Sequence, residues 1–434
     1  MSGLEIGILG FAVLFLLLAL RMPVATAMMT VGFFGVLMLN PRGALPTLAG
    51  EVFSIPTMYS LTILTLFILM GNLAGVSGMS RDLYDAAYAW LGNWRGGLAS
   101  ATIVGCAGFS ALSGSSLASA VTMGRVALPE MQRYRYDNKL ATGAVAAGGT
   151  LGILIPPSAG FVVYAILTEE SIGRLFIAGI LPGLLLTGLF LAAIYAMTRI
   201  RPELAPASDF AIPLTDRFRA LGRASWIIGI IVVTIGGIYT GVFSAVEAAG
   251  IGAFLSFLVA LFRRTVTVRS MLAALDQTLR STATAFFILM GAFVFTPFVA
   301  LSGIPDALVG WLGGVSASPH VILLIILVFF VVLGMFLEGF AILVLTLPLV
   351  QPIMEHLGFD MIWFGVVMVI ILEMGLISPP VGINVFVVKG IAGDVPLNDI
   401  FKGILPFWLA MLLALALIVA FPLIALFLPN TMLG

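Results

Sequence analysis

The sequence predicts an all-α polytopic membrane protein: an inverted repeat of five spans each plus two re-entrant helical hairpins. Three observations predict it. Hydrophobic residues make up 61% of the chain and charged residues 9%, with mean hydropathy +1.19. A soluble chain of 434 residues cannot hide that much apolar surface, so most of it must face lipid or other membrane helices. The apolar residues fall into runs of about 20, the length of one helical crossing. Finally, short motifs return in one order half a chain later. Phe67-Ile68-Leu69-Met70-Gly71 returns as Phe287-Ile288-Leu289-Met290-Gly291, offset by 220; Pro156-Pro157 returns as Pro379-Pro380, offset by 223. Gly179-Ile180-Leu181-Pro182 returns as Gly403-Ile404-Leu405-Pro406, offset by 224. A duplicated unit in so apolar a chain is the sequence pattern of a secondary transporter.

Taken in order, the ten spans are 4–20, 23–39, 60–78, 139–168, 174–198, 225–242, 244–262, 280–300, 361–392 and 400–429. Glu5 precedes the first apolar run, with no basic segment and no small-residue cleavage site, so this run reads as a retained span rather than a signal peptide. Segments 98–129 and 319–354 are interrupted midway, by Ser113-Gly114-Ser115-Ser116 and by Glu338-Gly339. Their short arms fit re-entrant hairpins better than two full crossings. Segments 43–58 and 304–313 read as interfacial helices. The first repeat is then 1–198 with hairpin 98–129, the connector 199–224 is cytoplasmic, and the second repeat is 225–434 with hairpin 319–354.

Charge orients this plan. One face gathers Arg21, Arg81, Arg95, Arg133, Arg135, Lys139, Arg199, Arg201, Arg217, Arg219, Arg223, Arg263, Arg264, Arg269, Lys389 and Lys402. The other holds Arg42 and Arg174 with Glu169, Glu170, Asp306, Glu355 and Asp360. The positive-inside rule assigns the first face to the cytoplasm and both termini to the outside. Five spans per repeat is an odd number, so the halves sit upside down relative to each other, and the two hairpin tips can meet near the midplane. Balanced totals of 20 basic and 20 acidic residues with no basic stripe argue against nucleic acid. One cysteine, Cys106, excludes an internal disulfide, and two histidines, His320 and His356, leave little for metal catalysis.

The chemistry is expected where helices break. Gly149 to Ser158 and Glu373 to Asn384 each carry adjacent prolines, which remove two backbone donors and free carbonyls one turn earlier. Such carbonyls are tolerated in a membrane only where they line a cavity or bind something, and they suit a hard cation. A half-helix N-terminus suits a carboxylate. A plain kink between packed helices is the competing reading of each break; the pairing at matching repeat positions favours a site. The serines of the first tip are read as site hydroxyls on the same ground, against simple close packing. Glu338 and Glu373 are intramembrane acids, each costing on the order of 3 kcal/mol to bury centrally, so each needs a partner or a role. Glu338 can hold a cation or bond to tip amides; Glu373 can brace the broken helix or act on an ion indirectly. Glu247 reads as a helix-start residue, and Arg125 as a snorkelling cation or an attractor of anions.

These residues together resemble the large permease subunit of the tripartite ATP-independent periplasmic (TRAP) transporters, dicarboxylate type. The resemblance runs over essentially the whole chain and is carried by Gly105 to Met131, Gly149 to Ser158, Gly334 to Met354, and Glu373-Met-Gly-Leu-Ile-Ser-Pro-Pro-Val-Gly-Ile-Asn384. It implies a bacterial inner-membrane importer driven by sodium, without ATP and without other cofactors. The implied substrate is an organic acid: a dicarboxylate, a 2-oxo acid, a sugar acid or a sialic acid. It also implies two partners, a small four-helix membrane subunit and a periplasmic solute-binding protein. The chain opens directly on its first span, so that small subunit is expected as a separate chain. The implied fold is an elevator, with a transport domain of 98–168 and 319–392 moving against a scaffold of the first two spans and 225–262. Sodium-binding candidates are Ser113, Gly114, Ser115 and Ser116 with Gly152, Pro156 and Ser158, and Glu338 and Gly339 with Gly375, Ser378 and Pro380. Substrate-binding candidates are Ser116, Pro157, Ser158 and Asn384, with Glu373 in support. The competing function is a stand-alone symporter of similar fold; an intramembrane enzyme is disfavoured by the scarcity of His and Cys.

Overall fold

Unbroken apolar runs with few turn signals fold as helices, and the described residues contain no strand. The computed structural model describes residues 2–206, 212–313 and 318–432. The first half comprises α1 (Gly3–Ala19), α2 (Val24–Leu39), α3 (Ala44–Thr57), α4 (Thr62–Val76) and α5 (Met79–Leu91). A helical hairpin follows, α6 (Gly97–Ser113) and α7 (Ser116–Arg133), then a broken pair, α8 (Asn138–Leu154) and α9 (Ala159–Thr168), then α10 (Ile172–Ile200). The second half repeats the order with α11 (Leu214–Tyr239), α12 (Ala245–Phe262), α13 (Val268–Ser302) and α14 (Ile304–Gly313). Its hairpin is α15 (Pro319–Gly334) and α16 (Gly339–His356), its broken pair α17 (Met361–Leu376) and α18 (Ile383–Ala392). It closes with α19 (Leu397–Ala420) and α20 (Leu423–Asn430). Among the described residues, eight helical segments are long and apolar enough to cross a membrane. α1 and α2, with 17 and 16 residues, are apolar but shorter.

Several expected boundaries move. The connector 199–224 is helical at both ends, since α10 runs to Ile200 and α11 already starts at Leu214; residues 207–211 of it lie outside the described residues. The span expected at 280–300 starts at Val268. Hydropathy reads only the part of a helix that suits lipid, whereas helix propensity carries these two through charged but helix-favouring turns. The polar start of α11 is also held by packing: Phe218 meets Trp90 edge-on, and Ala220 and Ala224 pack on Ala86 and Ala89. Those partners lie on α5, a helix not marked in the sequence reading. The last span divides at Phe421-Pro422 into α19 and α20. Within the halves, α3 and α4 are separate where α13 runs unbroken for 35 residues. Pro56 near the end of α3 accounts for the difference, since Asp276, 220 residues on, keeps its backbone donor.

α2 packs on α13, α4 on α12 and α13, and α11 on α12, forming one group. The other gathers around α8, which touches α6, α7, α17 and α19. All 16 residues of α17 are buried, so this helix runs through the middle of the molecule. Contacts between distant segments keep the two loop sets apart. Arg263 pairs with Asp82, Thr265 bonds to Ser77, the Asp137 amide bonds to Leu204, and Lys139 approaches Asp399. At the other ends, Gly3 lies against Ser302, and the Tyr239 hydroxyl meets that of Thr431 at 3.2 Å.

Candidate functional site

The first tip is closed down onto the first break, backbone against backbone. α6 ends at Ser113, Gly114 turns the chain with φ +59°, and Ser115 caps α7 by accepting from the Ala118 amide. Gly114 is favoured here because a residue with a Cβ rarely adopts that conformation. α8 ends at Leu154, the Pro156-Pro157 bond is cis, and Ser158 caps α9 by accepting from the Phe161 amide. The Ala159 amide donates to the Gly114 carbonyl at 3.2 Å, joining tip to break. A Cβ on Gly152 would stand 2.5 Å from the Ser115 carbonyl oxygen, so only glycine allows this approach. Ser113, Gly114, Ser115, Ser116, Gly152, Pro156, Pro157 and Ser158 therefore lie in one neighbourhood, all but half-buried Ser115 fully buried. Within it, Ser113 turns its hydroxyl to Ser119, 2.8 Å away, bracing the hairpin internally. Ser119 was not singled out in the sequence; its place one turn past the tip was the available signal.

The second tip and break meet through a pair of glycines. A Cβ on Gly375 would stand 2.5 Å from the Gly334 Cα, so α15 and α17 cross at backbone contact. Glu338 is the N-cap of α16, half-buried, with the amides of Phe340 and Ala341 beside its carboxyl but no closed capping bond. Gly339 is buried, while Pro379 and Pro380, joined by a cis bond, are exposed. The Ser378 hydroxyl donates to the Met374 carbonyl and accepts from the Trp408 indole at 2.9 Å. Trp408 was also missed, because one tryptophan in a long apolar span carries no local signal.

The two half-sites are joined at the centre. Ser116 of the first tip donates to Glu373 Oε1 of α17 at 2.5 Å. Glu373 is 1% exposed, and its other oxygen has no hydrogen-bond partner in the chain. Asn384, in the first turn of α18, is fully buried, and both its amide oxygen and its nitrogen lack a partner. A buried amide with nothing to bond costs on the order of 1–3 kcal/mol, so these atoms are where a ligand or an ordered water gains most. The arrangement offers carbonyl and hydroxyl oxygens, one carboxyl and one amide, a donor set for a hard cation and a carboxylate. Two other expectations resolve simply. Glu247 closes a capping box with Ser244 at the start of α12, and Arg125 is exposed on α7.

The profile of the family described as "Tripartite ATP-independent periplasmic transporter, DctM component" matches residues 11–424. The chain belongs to this TRAP permease family. The family is a transporter subunit and not an enzyme, and this TRAP permease is a multi-pass membrane protein. The chain is 37% identical over 401 residues to the C4-dicarboxylate TRAP transporter large permease protein DctM of Pseudomonas aeruginosa, with 92% of each chain covered. It is 32% identical to the sialic acid large permease SiaM of Vibrio cholerae, covering 87% of each, and 32% identical to the ectoine large permease TeaC of Halomonas elongata, covering 94% of each. Among solved structures it resembles the Alcanivorax borkumensis YdaH transporter, with a TM-score of 0.63 at 17% identity over 88% of this chain and 89% of that one. It also resembles Neisseria gonorrhoeae MtrF, with a TM-score of 0.60 at 13% identity over 89% and 85%. At such low identity these two likenesses speak for the fold alone.

Proposed function

We propose that this TRAP permease imports an organic acid across the bacterial inner membrane, driven by sodium, with a small four-helix subunit and a periplasmic solute-binding protein. Both interrupted helices and both tips converge on one polar junction around buried Glu373, and that convergence carries the reading. One sodium site uses the first tip and break; a second uses Glu338, Gly339, Gly375, Ser378 and Pro380. Asn384 meets the substrate carboxylate beside Ser116, Pro157 and Ser158. The DctM relatives, named for C4-dicarboxylates, support a dicarboxylate or similar acid; the sialic acid and ectoine relatives keep the class broad. The basic loop set lies in the cytoplasm and both termini outside, with the halves inverted and the α8-centred group moving against the α13-centred one.

The test is uptake by vesicles holding the permease and its small subunit, with the binding protein supplied outside. An inward sodium gradient should drive accumulation; equal uptake with potassium in place of sodium would end the coupling claim. Replacing both Ser113 and Ser115 with alanine should raise the sodium requirement at unchanged protein abundance.

A further inference from the structure

Glu373 is the side chain at which all four interrupted segments meet. It accepts from Ser116 of the first tip across 257 residues of sequence. Glu373 also lines a narrow cleft with Ile153 and Gly160, on either side of the first break, and with Gly339 and Phe340 of the second tip. The helix carrying it, α17, runs straight into the second break. Among the described residues the contact exists once only. In the first half the residue 223 positions earlier is Thr150, whose hydroxyl donates to Ala147 of its own helix. The position matching Ser116 in the second tip is Gly339, which has no side chain to offer. The first half therefore folds without such a link, and an acid held here against the burial cost is a candidate for a task beyond folding.

We propose that Glu373 is a positioning residue that couples the two half-sites, so that an ion seated at the first tip shapes the site at the second break. This rests on the sodium reading above. Ser116 has one hydroxyl proton and gives it to Glu373, so its lone pairs are directed by that bond. An ion drawing on the tip oxygens shifts Ser116. Glu373 is buried, and Ser116 is the one hydrogen-bond partner its carboxyl has in the chain, so it follows, moving α17 and the carbonyls ahead of Pro379. The coupling passes through contiguous hydrogen-bonded and packed groups, which is the physical form such coupling takes.

The experiment is a sodium titration of the purified full-length permease, followed by its thermal unfolding temperature, with choline holding ionic strength constant. The wild type should respond with a Hill coefficient above one. Ser116→Ala and Glu373→Ala should each raise the sodium midpoint about tenfold and bring the Hill coefficient toward one, within the range usual for coupled sites. The double variant should be no worse than either single one. Glu373→Gln, which keeps a carbonyl acceptor for Ser116, should recover most of the wild-type response. Multiplying effects in the double variant, or a shifted midpoint with an unchanged Hill coefficient, would overturn the proposal and leave sodium binding intact. A wild type indifferent to sodium would overturn both readings. Should Glu373→Ala fail to fold, Ser116→Ala and Glu373→Gln decide: an unchanged Hill coefficient in Ser116→Ala, or no recovery in Glu373→Gln, sinks the coupling role.

Discussion

The two hairpins hold matching places in the two halves and are made of different residues. α6 is rich in Ala, Gly and Ser, and 14 of its 17 residues are buried, so small side chains let neighbouring helices close in on every side. α15 is built from Val, Ile, Leu and Phe, and it presents Leu324, Ile325, Val328 and Phe329 outward. The tips differ in the same sense. Ser113 and Ser116 are buried, whereas Phe336 of the second tip is 58% exposed. Pro156 and Pro157 are buried, whereas Pro379 and Pro380 are exposed. One half-site is sealed by packing and the other is open on one side. Matching element order thus supplies two hairpins, and side-chain volume decides which one is locked in.

Four measurements break or sharpen this contrast. The largest effect is expected at the sealed junction. Gly152→Ala forces apart two backbones and should cut uptake on the order of a hundredfold, since overpacking there costs about 1–3 kcal/mol. Gly339→Ala has nothing within 4 Å of the added methyl, so its loss should be smaller than that of Gly152→Ala; equal losses would erase the distinction between the tips. Next, Ala101→Leu in buried α6 should lower unfolding stability by about 2 kcal/mol, whereas Leu324→Ala on the outer face of α15 should change it by less than about 0.5 kcal/mol. Third, in detergent a cysteine replacing Phe336 should react with a maleimide about tenfold faster than one replacing Ser113, because access governs thiol labelling. Cys106 is buried and supplies a silent background. The smallest effect is Ser378→Ala, which strands the Trp408 indole N–H and should cost about 1 kcal/mol. Ile155 holds the matching position in the first half, so that half has no such bond to lose.

Most of the fold was legible because lipid leaves few options: apolar runs of about 20 residues become helices, and paired prolines interrupt them. The broken segments at Pro156-Pro157 and Pro379-Pro380, both hairpins and the capping role of Glu247 were all readable as local patterns. Helix α5, the early starts of α11 and α13 and the division at Pro422 were not. Amphipathic and charged turns there depend on partners such as Trp90 with Phe218, which no hydropathy window sees.

By itself, then, the sequence determined that this is a helical, multi-pass membrane protein of the TRAP permease type, and it marked the residues at which its helices break. Only the tertiary structure decided which of those residues touch. Ser116 and Glu373 are 257 positions apart, and nothing local to either specifies the other. Their meeting is fixed by how α7, α8 and α17 pack, and so are the unpartnered atoms of Asn384 and the difference between a closed first tip and an open second one. Periodicity and backbone chemistry are written along the chain; contact between its halves depends on volumes filled jointly by residues far apart in it.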